Sequence, residues 1–154
     1  MSTTAWRIYR RRHARVAFTG EGARRFGGRW NSPGNALIYT AESRALAALE
    51  MLVHLDAPEL LKKYVICGIT FDEGLVRQVG ARELPSGWNR NPRSPRTRQI
   101  GDHWIVSRTS AVLQVPSAIV PTESVFLFNP AHADFGTIRI GDPEPFRFDR
   151  RLSE

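Results

Sequence analysis

Apolar and polar positions alternate from the start of the chain, and Trp6-Arg7-Ile8-Tyr9-Arg10 predicts an opening strand over 6–10. Residues 11–26 are polar and irregular, with Gly20 and Gly22 arguing against a long element. Pro33-Gly34 is a turn signal between Gly28-Arg29-Trp30-Asn31 and Ala36-Leu37-Ile38-Tyr39-Thr40, so Arg29 and Tyr39 are expected on neighbouring strands of a hairpin. Leu46, Leu49 and Val53 then recur at helical spacing and predict a helix over 43–55. Thr40 is placed to cap it, Glu42 falls in its first turn and Pro58 marks its end. Residues 64–71, rich in β-branched and aromatic side chains, are the strongest strand candidate, with a short one at 75–79. Prolines, glycine and asparagines over 85–98 predict a long loop, and long loops are usually functional or mobile. Ile100 and Trp104, four apart, predict a helix over 97–107. Strands follow at 111–115, stopped by Pro116, at 125–128, ended by Asn129-Pro130, and at 138–140 and 146–148. Strands outnumber helices without regular interleaving. The expected class is α+β with a mixed, mostly antiparallel sheet, in one domain over 1–154.

Composition changes this picture little. At 154 residues, 42% hydrophobic and 24% charged, the chain can bury a core and has ordinary globular usage. No apolar run approaches the roughly 20 residues of a membrane span, and the arginine-rich start lacks a signal peptide's apolar centre, so a cytoplasmic, membrane-free protein is expected. The single cysteine, Cys67, lies in an apolar run and reads as buried filler. Charge is more informative: the net value is +7, and Lys62 and Lys63 are the only lysines. Arginines concentrate between Arg7 and Arg29 and again from Arg90 to Arg98, which permits nucleic-acid binding and also suits an acidic partner or a phosphate-bearing substrate; the plainer reading is a solvated face that uses arginine. Exposed aromatics are not interleaved with those arginines, which disfavours a nucleic-acid stacking surface.

Five side chains carry the candidate chemistry. Arg29 follows two glycines that permit close ligand approach, and its planar fork matches phosphate oxygens; the plainer reading is a surface salt bridge. Trp30 packs beside such a site or simply fills the core. Tyr39 either satisfies its hydroxyl in the core or stacks its ring on a heteroaromatic base. Glu50 sits at the margin of an apolar helix face, where a carboxylate either reaches solvent or is kept for chemistry, with His54 one turn on as a possible partner. Ser117, just past the strand-ending Pro116, could donate to a phosphate or ribose oxygen or cap the segment 118–120. No G-x-S-x-G elbow, Walker loop, G-x-G-x-x-G fingerprint or histidine–cysteine cluster is present, so neither a resident cofactor nor a metal is expected.

Taken in order, these pieces resemble the RES domain family, the toxins of Xre–RES toxin–antitoxin pairs, named for an arginine, a glutamate and a serine. The resemblance rests on Trp6-Arg7-Ile8-Tyr9-Arg10, Gly28-Arg29-Trp30-Asn31 with Pro33-Gly34, Ile38-Tyr39-Thr40-Ala41, Ala48-Leu49-Glu50, Gly101 with Trp104, Val115-Pro116-Ser117, Asn129-Pro130 with His132, and Asp149-Arg150-Arg151-Leu152. It implies a fold related to the ADP-ribosyltransferase toxins and an enzyme for which NAD is the substrate. Arg29, Glu50 and Ser117 would be catalytic, with Tyr39, Trp30, Arg29 and Ser117 around the dinucleotide. It implies further an Xre-family helix-turn-helix antitoxin as partner, in a higher-order complex. Water, phosphate or a protein side chain could each accept the ADP-ribose. One position departs from the family pattern: Ser124 stands where members commonly carry asparagine.

Overall fold

The computed structural model describes all residues, 1–154. In chain order the elements are β1 (Ser2–Arg10), α1 (Glu21–Phe26), β2 (Ile38–Ala41), α2 (Arg44–Leu52), α3 (Ala57–Leu60), β3 (Tyr64–Asp72), β4 (Val76–Gln78), α4 (Pro95–Ser107), β5 (Val112–Pro116), β6 (Ser124–Phe128), β7 (Arg139–Ile140) and β8 (Glu144–Phe146). The strands form one sheet in the order β4-β5-β6-β2-β1-β3-β7, with β8 also paired to β3. Only the β4–β5 pair is parallel; every other pairing is antiparallel. The expected α+β class and mostly antiparallel mixed sheet are therefore what the chain adopts. None of the helices is long and apolar enough to cross a membrane.

The run Val125–Phe128 is continuously apolar because β6 is buried on both faces. Phe126 and Phe128 join Ile38, Ile69, Phe71 and Val112 on one side, while Val125 and Leu127 pack with Leu113, Val115, Trp30 and Trp104 on the other. Trp104 from α4 is 1% exposed, and removing a side chain of that size from water contributes about 1.5–3 kcal/mol. A third cluster seats α2 through Leu46 and Ala47 on Ile8, Tyr64 and Ile66 of β1 and β3. Cys67 is 1% exposed and its thiol donates to the Gly141 carbonyl; burial pushes its pKa up. It is the inert filler its apolar run implied.

Four local expectations need correcting. Arg29 and Tyr39 are not on a hairpin: residues 28–31 form a tight loop closed by a single Gly28–Asn31 bridge, and β2 pairs with β1 and β6 instead. Thr40 does not cap α2, because its hydroxyl donates to the Phe126 carbonyl across the sheet; Ser43 is the cap, accepting from the Leu46 N–H at 3.0 Å. Glu42 precedes the helix and accepts from the Ser124 N–H, joining β2 to β6 rather than sitting in a first turn. Helix α2 ends at Leu52, short of the predicted 55, and Pro58 lies in the first turn of α3 behind its Asp56 cap.

Candidate active site

Glu50 and Ser117 meet. α2 is fixed at its start by the Ser43 cap and by Arg44, whose guanidinium lies 4.0 Å over the Trp6 ring and pairs with Glu144 at 3.1 Å. Glu50 lies one turn beyond the buried Leu46 and Ala47, so its carboxylate projects past the packed face toward the end of β5. There Pro116 ends the strand and Ser117, fully buried, turns into a short loop closed by its own N–H to the Glu123 carbonyl. Ser117 Oγ accepts from the Ile119 and Val120 N–H groups at 3.1 and 3.0 Å. A hydroxyl has two acceptor lone pairs and one proton, so the proton remains for Glu50 Oε1, 2.6 Å away. The serine thereby pins one carboxylate oxygen and leaves the other unbonded. Its partner is not His54, which is exposed just past the helix.

Arg29 stands on the loop between α1 and β2, beyond Gly27, whose φ of 72° lies in the left-handed region. The loop is braced from below. Tyr39 accepts from the Trp30 N–H at 3.0 Å and donates to Asn31 Oδ1 at 2.7 Å. A Cβ at position 28 would overlap that phenol oxygen, which is why Gly28 precedes Arg29. Asn31, fully buried, donates onward to the Ala23 and Asn35 carbonyls at 2.8 and 3.0 Å. Asp102 of α4 accepts from the Ser32 N–H and Asn35 Nδ2, both at 2.9 Å. On the far side, Arg29 Nη1 donates to the Trp88 and Arg90 carbonyls at 2.9 and 3.0 Å. Burial lowers the Arg29 pKa, the charge of Arg93 lowers it further, and Glu50 and Tyr39 oppose both.

Tyr39 is half-buried and its hydroxyl is engaged; burial pushes its pKa well above the ordinary value. Trp30 is 3% exposed, its ring centroid 6.4 Å from that of Trp88, and it lies in the core beside the site rather than on its surface. Behind Tyr39, Arg7 donates to the Ala17 carbonyl at 2.7 Å and the Tyr39 carbonyl at 3.0 Å. It has no carboxylate partner, and burial lowers its pKa to about 10. Sequence reasoning gave no role to Arg7, Asn31 or Asp102. Arg7 and Asn31 stand within the motifs that carry the family resemblance, but no bracing contact could be read from them; nothing local marked Asp102. A hollow of about 580 Å³ lined by Arg10, Arg11, Arg12, Leu61, Lys62 and Lys63 is separate from these residues, as is one of about 430 Å³ around Arg77, Glu83 and His103. No three His, Cys, Asp or Glu side chains converge as metal ligands would.

Known proteins similar to this chain point to one family. The chain is 38% identical over 148 residues to a protein named Toxin Res of Yersinia enterocolitica, covering 96% of this chain and 97% of that one. It is 39% identical over 157 residues to a Prs ADP-ribosylating toxin of a Sphingobium strain, covering 99% and 98%. A chain in the crystal structure of the M. tuberculosis MbcT–MbcA toxin–antitoxin complex superposes with a TM-score of 0.80 over 99% of this chain and 87% of that one, at 21% identity. The model of the RES domain matches residues 4–149, a span that contains every one of the candidate residues, and the chain belongs to the RES domain family.

Proposed function

We propose that this protein is the toxin of a toxin–antitoxin pair and cleaves the nicotinamide–ribose bond of NAD. The observation that carries the reading is the Ser117–Glu50 bond of 2.6 Å, in which the serine, both of its lone pairs taken by backbone N–H groups, gives its one proton to the carboxylate. Departure of nicotinamide builds positive charge on the ribose, in an oxocarbenium-like transition state akin to glycoside hydrolysis. A carboxylate held rigidly, with one oxygen free, can bond the ribose hydroxyls and stabilise that charge without reorganising. Glu50 is then the catalytic residue and Ser117 its positioning residue, since no lone pair of Oγ remains for a ligand. Arg29 offers Nε and Nη2, which make no bond within the chain, to the diphosphate. Half-buried Tyr39 is the aromatic ring proposed to stack on nicotinamide. Trp30 supports the wall rather than touching substrate. NAD is substrate here, not a resident cofactor.

The relatives' names and the solved complex support an antitoxin partner, and an Xre-like helix-turn-helix protein is the one proposed. A net charge of +7 and the basic hollow around Arg10–Arg12 favour an acidic docking face on it. The test of the chemistry is direct. Purified protein is mixed with NAD and free nicotinamide is followed by chromatography. Wild type is expected to release it, and Glu50→Gln to release it at least a hundredfold more slowly, the usual scale for losing one preorganised charge-stabilising group. Equal rates for the two proteins would remove Glu50 from the mechanism, and silence from wild type would remove the reaction.

A further inference from the structure

Arg29 is held in a closed ring of contacts that runs through α4. Its Nη1 donates to the Trp88 and Arg90 carbonyls at 2.9 and 3.0 Å, which fastens it to the loop leading into that helix. Ser94 ends the loop as the cap of α4, accepting from the Arg96 N–H at 3.1 Å. The helix is seated in the core by Trp104. On its loop-facing side Gly101 lies against the Trp30 carbonyl, and Asp102 Oδ1 accepts from the Ser32 N–H and Asn35 Nδ2, both at 2.9 Å. From Ser32 the backbone leads straight back to Arg29. Asn31 staples this loop to itself and Tyr39 ties it to β2, but Asp102 is the α4 side chain that hydrogen-bonds it to the helix.

Asp102 is the unusual member of the ring. It is half-buried, forms no ion pair and accepts only from neutral donors. Burying a carboxylate in this way costs desolvation that a neutral side chain avoids. In return its oxygens only accept, and each bond is stronger than one to a neutral carbonyl. We propose that Asp102 is a positioning residue for Arg29, fixing the arginine's loop to α4 while the entry loop of the same helix holds the guanidinium. Nε and Nη2, which make no bond within the chain, are then aimed before any ligand arrives. A fork set in advance loses less rotamer freedom on gripping an anion. The inference rests on the NAD reading for what Arg29 grips; the ring of contacts does not depend on it.

Steady-state nicotinamide release by the full chain tests this with Asp102→Ala and Asp102→Asn. Asp102→Ala is expected to raise KM for NAD about tenfold, the scale of one misplaced charge-assisted contact, with kcat within about twofold of wild type. Mere loss of folded protein does otherwise: it lowers apparent kcat and leaves KM alone. Asp102→Asn, whose Oδ1 can accept the same two bonds, is expected to recover most of the loss. An unchanged KM in Asp102→Ala, or an Asp102→Asn protein no better than Asp102→Ala, would overturn the assignment. Hydrogen exchange supplies a readout that needs no catalysis. In Asp102→Ala it should speed about tenfold over residues 28–35 and also over 86–92, which Asp102 does not touch and which are reached through Arg29 and Trp30, while β3 keeps its wild-type rates. Wild-type rates over 86–92, or a rise extending equally through β3, count against the role as well. Release by wild type with KM unaffected in Asp102→Ala sinks the positioning role and leaves the NAD reading intact. Silence from wild type, with faster exchange in those two segments that Asp102→Asn reverses, does the opposite.

Discussion

A single hydroxyl does two jobs at Ser117: it closes the 117–120 turn and fixes Glu50. Ser117→Ala leaves two backbone amides unsatisfied, as loss of a helix cap does, at about 1 kcal/mol. A shift in melting temperature of roughly 2–4 °C is expected, read by scanning fluorimetry. Nicotinamide release should fall by at least tenfold, more than so small a loss of stability can explain at 25 °C. Full activity in a destabilised Ser117→Ala protein would show that the carboxylate needs no such anchor. The position of Glu50 on the helix was legible from periodicity, because a carboxylate one turn beyond Leu46 must fall at the edge of the packed face. Its bond to a serine 67 residues later was not, since that contact depends on how α2 docks on the sheet.

At the scale of elements, α4 and the Arg29 loop touch without a side chain between them. A Cβ on Gly101 would overlap the Trp30 carbonyl, so the helix can approach only as glycine. Gly101→Ala is expected to cost at least about 1–3 kcal/mol, in the range of overpacked cores, and to loosen the loop that Asp102 also holds. Gly22 in α1 has nothing within 4 Å of its missing Cβ, so Gly22→Ala should be neutral or slightly stabilising. Urea midpoints of the two variants, compared at equal slope, check both values. The helix around Trp104 and the strand at 64–71 were readable from apolar spacing alone. The hairpin was misread for a physical reason. Pro33-Gly34 does turn the chain, but β2 takes its partners from β6 and β1, with Ile38 opposite Phe128, because only there are both of its faces covered.

Across the whole molecule, three tyrosines, Tyr9, Tyr39 and Tyr64, have their pKa raised, in each case chiefly by burial. The native state therefore keeps phenolic protons that the unfolded chain releases near its ordinary value of 10.0. At these tyrosines the native state binds more protons than the unfolded chain, so their contribution to stability falls as pH rises above about 10; Cys67, also raised by burial, adds a fall from about 9, while Arg7, lowered by burial to about 10, acts with the opposite sign. Chemical denaturation at pH 8, 9, 10 and 11 should show a flat region and then a decline. Tyr39→Phe should be less stable at pH 8, having lost the bonds to Trp30 and Asn31, and should decline less steeply above pH 10. Equally steep declines for wild type and Tyr39→Phe above pH 10 would contradict the burial of the Tyr39 hydroxyl.

The sequence by itself determined the class of fold, most of the strands and the set of residues worth watching, because apolar periodicity, prolines and glycines act within a few residues of themselves. Tertiary structure decided which of those residues meet. Glu50 and Ser117 come together only when α2 packs on β1 and β3 beside the end of β5. Arg29 acquires its orientation from carbonyls about 60 residues away in a loop whose composition said only that it would be irregular. Side-chain identity is local information, whereas the direction in which a buried polar group points is settled by the partners the rest of the chain brings to it.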